Sequence, residues 1–477
     1  MSPAGAKRPN HRAEGVAPRR RQTVAGRRPS WLRPALGLVL LAALAASADA
    51  HPSLLVTAGD VTDTGAVLWL RGSTPGQLTV RHGPAGGESS RTDVTVGAAT
   101  DLTAKVRLGG LAPATRHRYV VTQGGARVEG EFLTAPAPDA AVPVTFTWSG
   151  DLGGRAKCRH VTDGYPIFRA LGKFKADFFL FVGDTIYADQ PCAGPDRVPG
   201  YGFVARTLPQ FRAKHLYNRS DPWVQEYFRG VSVYAIWDDH EVRNDFSGST
   251  DRLMPIGREA FLDYFPILPP ADEPGRLHRS VRWGRLLELF ILDTRQYRSP
   301  NSDPDGPGKT MLGAAQKRWL IDRVTASTAT WKVVVTSVSL SVPTGRTARD
   351  SWSNANILGF PEENATGFAV ERDAILRALR EARVKNLVFL AADVHHAELL
   401  RHHPTPEWSF HEFIAGPLSA SLGRPRPVDS GLNPRSLYGL GGIENFGEVT
   451  IDSTGLTVRI VDLTGQVRFT HTIGAER

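Results

Sequence analysis

The sequence predicts a layered α/β protein with mixed sheets, preceded by a small all-β domain. Three observations carry that prediction. Residues 51–135 show short alternating apolar runs separated by Gly-containing turns, the pattern of a β-sandwich. Beyond residue 144, short apolar runs alternate with longer helix-like stretches. Four of those later runs stop abruptly in clusters of carboxylates and histidine, where open α/β sheets place their sites.

Taken in order, strands are expected at Ala66–Arg71, Gln77–His82, Leu102–Leu108, Arg116–Gln123 and Arg127–Leu133. The run Leu111–Tyr119 resembles the corner of a fibronectin type III domain, where a Tyr hydroxyl ties the loop back to the backbone. His82 and His117 read as surface residues. A Pro/Ala linker at 136–143 separates this domain, 51–135, from a second one at 144–477. There, strands are expected at Val144–Ser149, Phe178–Val182, Val231–Trp237, Leu286–Leu292, Trp331–Ser337 and Leu387–Ala391, and helices at Tyr165–Phe174, Tyr201–Tyr217, Asp221–Phe228, Ala314–Ser327 and Glu371–Ala382. Four more strands, Phe410–Ile414, Glu448–Asp452, Thr457–Asp462 and Val467–Thr472, close the chain. The two cysteines, Cys158 and Cys192, either pair or remain thiols; their spacing excludes a CxxC or zinc motif.

The four clusters carry the chemistry. Val144–Ser149 leads into Asp151, Phe178–Val182 into Asp184 and Tyr187, Val231–Trp237 into Asp238-Asp239-His240-Glu241, and Leu387–Ala391 into Asp393 and His395. An Asp after a strand is common, and a lone His is more often a core or surface group. The conjunction at one end of successive strands is what points to metal ions.

The motifs GDTIYAD (183–189), WDDHEVRND (237–245), LDTRQYR (292–298), DSW (350–352) and ADVHH (392–396) resemble those of the alkaline phosphatase D branch of the calcineurin-like metallophosphoesterases, over roughly residues 51–475. The resemblance implies a four-layer sandwich of mixed sheets flanked by helices, after a fibronectin-like domain. It implies one metal on Asp151, Asp184, Tyr187 and His395, with iron(III) suited to the phenolate. It implies a second metal bridged by Asp184 and held by Asp239 and Asp393; Asp239 is favoured over Asp238. Histidines that the superfamily places elsewhere are here Gly153, Asp393 and the Val335–Ser339 segment, so the second site is oxygen-rich and suits Ca²⁺, Mg²⁺ or Mn²⁺. Two cations about 3.5–4 Å apart lower the pKa of a shared water and neutralise phosphoryl charge. His240 would serve the transition state or the leaving oxygen. Arg295 would grip a phosphate oxygen, or else form a structural salt bridge. Gly308-Lys309-Thr310 lacks the first Gly of a P-loop. His402, His403 and His411 read as loop residues, Trp352 and Trp408 as packing, and His396 as a group behind the ligands.

The net charge of +9 invites a nucleic-acid reading, but residues 1–50 carry nine basic and two acidic groups, leaving +2 for the rest. No electrostatic footprint for nucleic acid remains. Ala35–Ala46 is apolar, follows a basic region and precedes Ala48-Asp49-Ala50, as in an export signal. Twelve residues are too few for a stable transmembrane anchor. The arginine pairs at 20–21 and 27–28 leave the Tat and Sec machineries equally open, with a secreted or periplasmic, wall-associated destination. The expected function is hydrolysis of phosphomonoesters, phosphodiesters or both. The rivals are a phospholipase-D-like diesterase acting on lipid headgroups or wall polymers, and a non-catalytic surface-binding module.

Overall fold

Two large sheets lie face to face, with helices on their outer sides. The computed structural model describes residues 54–154 and 157–476; the export signal expected at 1–50 lies outside them. The described residues belong to one compact unit.

The first sheet has nine strands, in the order Val467–Gly474, Gly455–Asp462, Asn445–Ile451, Val144–Ser149, Phe178–Val182, Ser232–Ile236, Leu54–Gly59, Gly65–Gly72 and Thr103–Gly109. Val144–Ser149, Phe178–Val182 and Ser232–Ile236 run parallel, so their carboxyl ends share one rim. The second sheet has seven strands, Arg279–Trp283, Leu287–Ile291, Trp331–Val335, Leu387–Ala391, Trp408–Ile414, Ala397–Thr405 and Pro434–Leu440 in spatial order. A smaller four-stranded sheet holds Ser90–Val96, Gly76–Pro84, Arg116–Gln123 and Ala126–Leu133.

Alternation of side chains builds the layers. In the second sheet Leu289, Val333, Val335, Val388 and Leu390 face the core shared between the sheets. Their neighbours Phe290, Val334 and Phe389 face the helices Gly313–Ala326 and Ala369–Glu381, meeting Leu320, Val324, Ile375 and Leu379. On the first sheet, Phe179 meets Phe168 of Ile167–Leu171 and Phe228 of Pro222–Gly230. Across the shared core Phe178 lies 4.7 Å from the Trp283 ring. Helices, two sheets and helices make four layers.

The expected strands are present with ends shifted by at most three residues. One helix differs more. Tyr201–Tyr217 is helical only over Leu208–Arg219, because a capping box of Thr207 and Gln210 starts the helix there. Six elements were not anticipated: strands Leu54–Gly59, Ser90–Val96, Arg279–Trp283, Ala397–Thr405 and Pro434–Leu440, and helix Met254–Tyr264. His402, His403 and His411 are therefore strand residues, not loop residues, with His402 and His411 buried.

Three N-terminal strands continue the first sheet. Gly59 pairs with Val233 in parallel, and Leu54–Gly59 then pairs with Gly65–Gly72. The joint is stitched by polar contacts: Trp69 Nε1 donates to the Asp263 carbonyl at 2.6 Å, Tyr234 Oη to the Val61 carbonyl at 2.5 Å, and Arg279 pairs with Asp60 at 2.8 Å. Tyr119 does not tie its own corner. Its hydroxyl donates to the Arg229 carbonyl at 3.2 Å, across to the helix Pro222–Gly230. His117, expected at the surface, is buried and stacked on Phe132.

Candidate metal centre

The four clusters converge. Asp151, Asp184, Asp238 and Asp393 each stand two residues past the last residue of their strand, on a common rim. Asp151, Asp184, Asp393 and His395 have φ of +63°, +48°, +66° and +60°. That left-handed conformation costs an ordinary residue about 1–2 kcal/mol, and Asp tolerates it better than most. It turns the chain sharply at the strand end and aims the carboxylate back over the rim. Gly416 leaves the room: a Cβ there would stand 2.6 Å from Asp151 Oδ2.

Asp151, Asp184 and His395 offer ligand atoms within 4.8 Å of one another, as do Asp184, Asp239 and His240, so Asp184 belongs to both groups. Tyr187 Oη lies 3.0 Å from His395 Nε2, and Asp151 Oδ1 lies 3.5 Å from the same nitrogen. His395 Nδ1 is held by Ser421 Oγ at 2.9 Å, which leaves Nε2 for the rim. Asp393 falls outside those groups but lines the same cavity. A third group, Asp239, Asp245 and Asp350, adjoins them.

Burial makes these carboxylates costly as they stand. Both oxygens of Asp151, Oδ1 of Asp239 and Oδ2 of Asp393 are buried with no hydrogen-bond partner among the described residues. Burial and neighbouring carboxylates push Asp151, Asp184 and Asp393 well above the usual carboxylate range. Burial would also raise Asp239, but His240 and Arg295 hold it below that range. Burial and the charges of Asp184 and Asp151 push the Tyr187 phenol well up. Buried carboxylate oxygens around shared points, with a phenol and an imidazole, fit cations.

His240 is held in place. Its Nδ1 meets Asp189 Oδ1 at 2.7 Å, its ring lies 4.1 Å from that of Tyr187, and its backbone N–H donates to Asp184 Oδ1 at 3.2 Å. Burial would lower its pKa, but Asp239 and Asp189 raise it to about 9. Its neighbour Glu241 does not face the rim. It accepts from Thr185 N, Thr185 Oγ1 and Asp238 N at 2.6, 2.7 and 2.9 Å, locking two clusters together.

Arg295 was expected either to reach a phosphate oxygen or to form a structural salt bridge. It is fully buried in the second arrangement, with Nε 2.5 Å from Asp238 Oδ1 and Nη1 2.8 Å from Asp350 Oδ1. Three buried neighbours, Arg295, Arg298 and Asn301, all donate to Asp350 Oδ1. This takes up Asp238, whose other oxygen has no partner, and leaves Asp239 facing the cavity. Arginine does line that cavity, which holds about 610 Å³: Arg346, Arg349 and Arg426 come from loops whose sequence carries no distinguishing pattern. Asp189, Asp245 and Asp350 lay inside the motifs, but only their contacts reveal what they do. Of the other candidates, His396 is buried with Nε2 2.9 Å from Glu398, Trp352 packs in the outer core, and Lys309 Nζ is spent on the Asn301, Asp303 and Thr366 carbonyls. Cys158 and Cys192 form a disulfide around the segment carrying Asp184 and Tyr187.

Comparison with solved structures gives the class first. The fold is that of the metallophosphoesterases. It matches a solved structure of PhoD with a TM-score of 0.70, at 19% identity over 89% of this chain and 92% of that one. It matches purple acid phosphatase from yellow lupin (Lupinus luteus) seeds with a TM-score of 0.63, at 14% identity over 89% and 74%. The model of the PhoD-like phosphatase family matches residues 154–454, and the chain belongs to that family. It is 26% identical over 390 residues to alkaline phosphatase D of Bacillus subtilis (strain 168), covering 72% of this chain and 64% of that protein.

Proposed function

We propose that the protein is a metal-dependent hydrolase of phosphoric esters, and that Asp151, Asp184, Tyr187, Asp239, Asp393 and His395 hold its cations. The observation that carries this reading is the set of orphaned carboxylate oxygens on one rim, at the floor of a cavity walled by arginine. Tyr187 and His395 belong to the first site, where a phenolate suits iron(III). Asp239 and Asp393 belong to the second, whose oxygen donors suit Ca²⁺, Mg²⁺ or Mn²⁺. Two cations bound there would supply Lewis acidity and a water acidified for attack.

The chain's own residues do the rest. Asp189 fixes the His240 ring through Nδ1, so Nε2 is the nitrogen left to meet the ester. A protonated His240 can donate to the leaving oxygen. Glu241 fixes the angle between the Thr185 and Asp238 turns, and Arg295 bridges Asp238 and Asp350. The arginines of the cavity wall offer planar guanidinium groups to phosphate oxygens. The reading covers mono- and diesters alike, and export to the cell surface accords with the disulfide.

The test compares turnover of p-nitrophenyl phosphate and bis(p-nitrophenyl) phosphate at alkaline pH, with metal content measured by mass spectrometry. Bound metal with turnover that chelation or Asp184→Asn removes, by at least about 10³-fold for several kcal/mol of lost charge stabilisation, is the expected result. No turnover of either ester with Fe, Ca, Mg or Mn would leave a binding module.

A further inference from the structure

The mouth of the cavity carries an apolar patch that the reaction does not need. Ile357 is 83% exposed, Leu358 65%, Phe360 60% and Leu422 42%, and most of the other large exposed apolar side chains lie elsewhere in the sequence. Ile357 and Leu422 line the cavity itself, from two different loops.

The loop that presents them is built to hold them out. Ala355 and Pro361 form an antiparallel bridge. Inside it, Asn356 Oδ1 accepts from Leu358 N at 2.9 Å and Phe360 N at 3.2 Å, and Asn356 N donates to the Phe360 carbonyl at 2.8 Å. Gly359 turns the tip with φ +83°, and its carbonyl accepts from Ser430 N at 2.8 Å. A Cβ at Gly359 would stand 2.5 Å from the Val428 carbonyl, so the tip is seated against the segment 427–430. A turn with this many bonds could have directed polar residues outward; it directs Ile, Leu and Phe. Contiguous exposed apolar groups ringed by charge mark an interaction surface.

The ring is basic. Arg346, Arg424 and Arg426 are exposed beside the patch, and none has an ion pair among the described residues. Arg349 pairs with Glu362 at 2.7 Å, and Glu363 is the other acid of the loop. Apolar side chains that can bury below a headgroup layer, surrounded by unpaired arginine, complement an anionic lipid surface.

We infer that the cavity mouth docks on anionic membrane, with Ile357, Leu358, Phe360 and Leu422 entering the headgroup–acyl boundary and the arginines meeting the lipid phosphates. The patch thereby sets the cavity facing the bilayer. This surface stands independently of the hydrolase reading.

The experiment is sedimentation of the full chain with vesicles of phosphatidylcholine, with and without phosphatidylglycerol, for the wild type and for Leu358→Ser/Phe360→Ser. Neither substituted residue lines the cavity. Residues 1–50 are present in both proteins, so the difference between them reads the patch alone. The expected result is at least a tenfold weaker partition of the variant onto phosphatidylglycerol vesicles, with the partition of both proteins falling as salt is raised, and with p-nitrophenyl phosphate turnover unchanged. Equal partition of the two proteins overturns the inference. So does gel filtration in which the wild type is dimeric and the variant monomeric, since a second copy would then cover the patch. Loss of turnover in the wild type itself would count against the hydrolase reading and leave the vesicle comparison intact.

Discussion

Asp151 and Glu412 are both buried carboxylates, and they are pushed in opposite directions. Burial and the charges of Asp238 and Asp239 raise Asp151 well above the usual range, and neither of its oxygens has a hydrogen-bond partner among the described residues. Burial would raise Glu412 too, but His402 and two serine hydroxyls hold it below the usual range. Its oxygens accept from Ser339 Oγ at 2.7 Å, Leu340 N at 2.7 Å and Ser341 Oγ at 2.6 Å, with His402 Nε2 at 2.9 Å. The difference teaches how to tell an acid that serves the fold from one that awaits a ligand. The chain completes the shell of Glu412 itself. Around Asp151 it gathers more negative charge, which the proposed cations would offset.

The comparison can be broken or sharpened by substitution. The largest effect is expected beside the incomplete shell. His240→Ala should keep its metal content and lose about 10²–10⁴-fold in turnover, read by steady-state kinetics alongside metal analysis; an unchanged rate removes His240 from the chemistry. Glu412→Ala leaves His402, two serines and a backbone N–H unpaired, and should cost about 3–5 kcal/mol of stability, measured by urea denaturation. Turnover of its folded fraction should stay within a few-fold, since Glu412 does not line the cavity.

A third buried group tests the same logic with the opposite charge. His215 has no hydrogen-bond partner for either ring nitrogen among the described residues and stacks on Tyr264 at 5.4 Å. Burial lowers its pKa to about 3. A depressed folded pKa means the neutral histidine contributes fully above its ordinary value near 6.5, and that contribution is lost as pH falls toward 3. Between pH 7 and 4.5 this amounts to about 2–3 kcal/mol. His215→Phe should flatten that part of the stability–pH profile. The smallest effect is the most discriminating. In protein stripped of metal, Asp151→Asn should raise stability by about 1–3 kcal/mol, while in loaded protein it should lower it. A loss in both states would mean that Asp151 is structural after all.

Much of the site was legible because its residues follow their strands immediately. An apolar run reports a strand, and a carboxylate directly after it must lie at that strand's end. What could not be read were the partners. Arg295 looked equally suited to phosphate or carboxylate, and its burial against Asp238 and Asp350 decided for carboxylate. Asp189 sits in a quoted motif, yet its bond to His240 spans 51 residues. The strand Leu54–Gly59 was missed because it is buried along its whole length and shows no alternation.

By itself the sequence determined the layered fold, the two-residue periodicity of its sheets and the identity of the acids at the rim, since these depend on local pattern. Only the tertiary structure decided which acids are satisfied and which are left open, that Tyr119 reaches Arg229 instead of its own corner, and that Ile357 and Leu422 meet at one cavity mouth. Such facts depend on groups distant along the chain arriving at hydrogen-bond or contact range, and no local pattern encodes that distance.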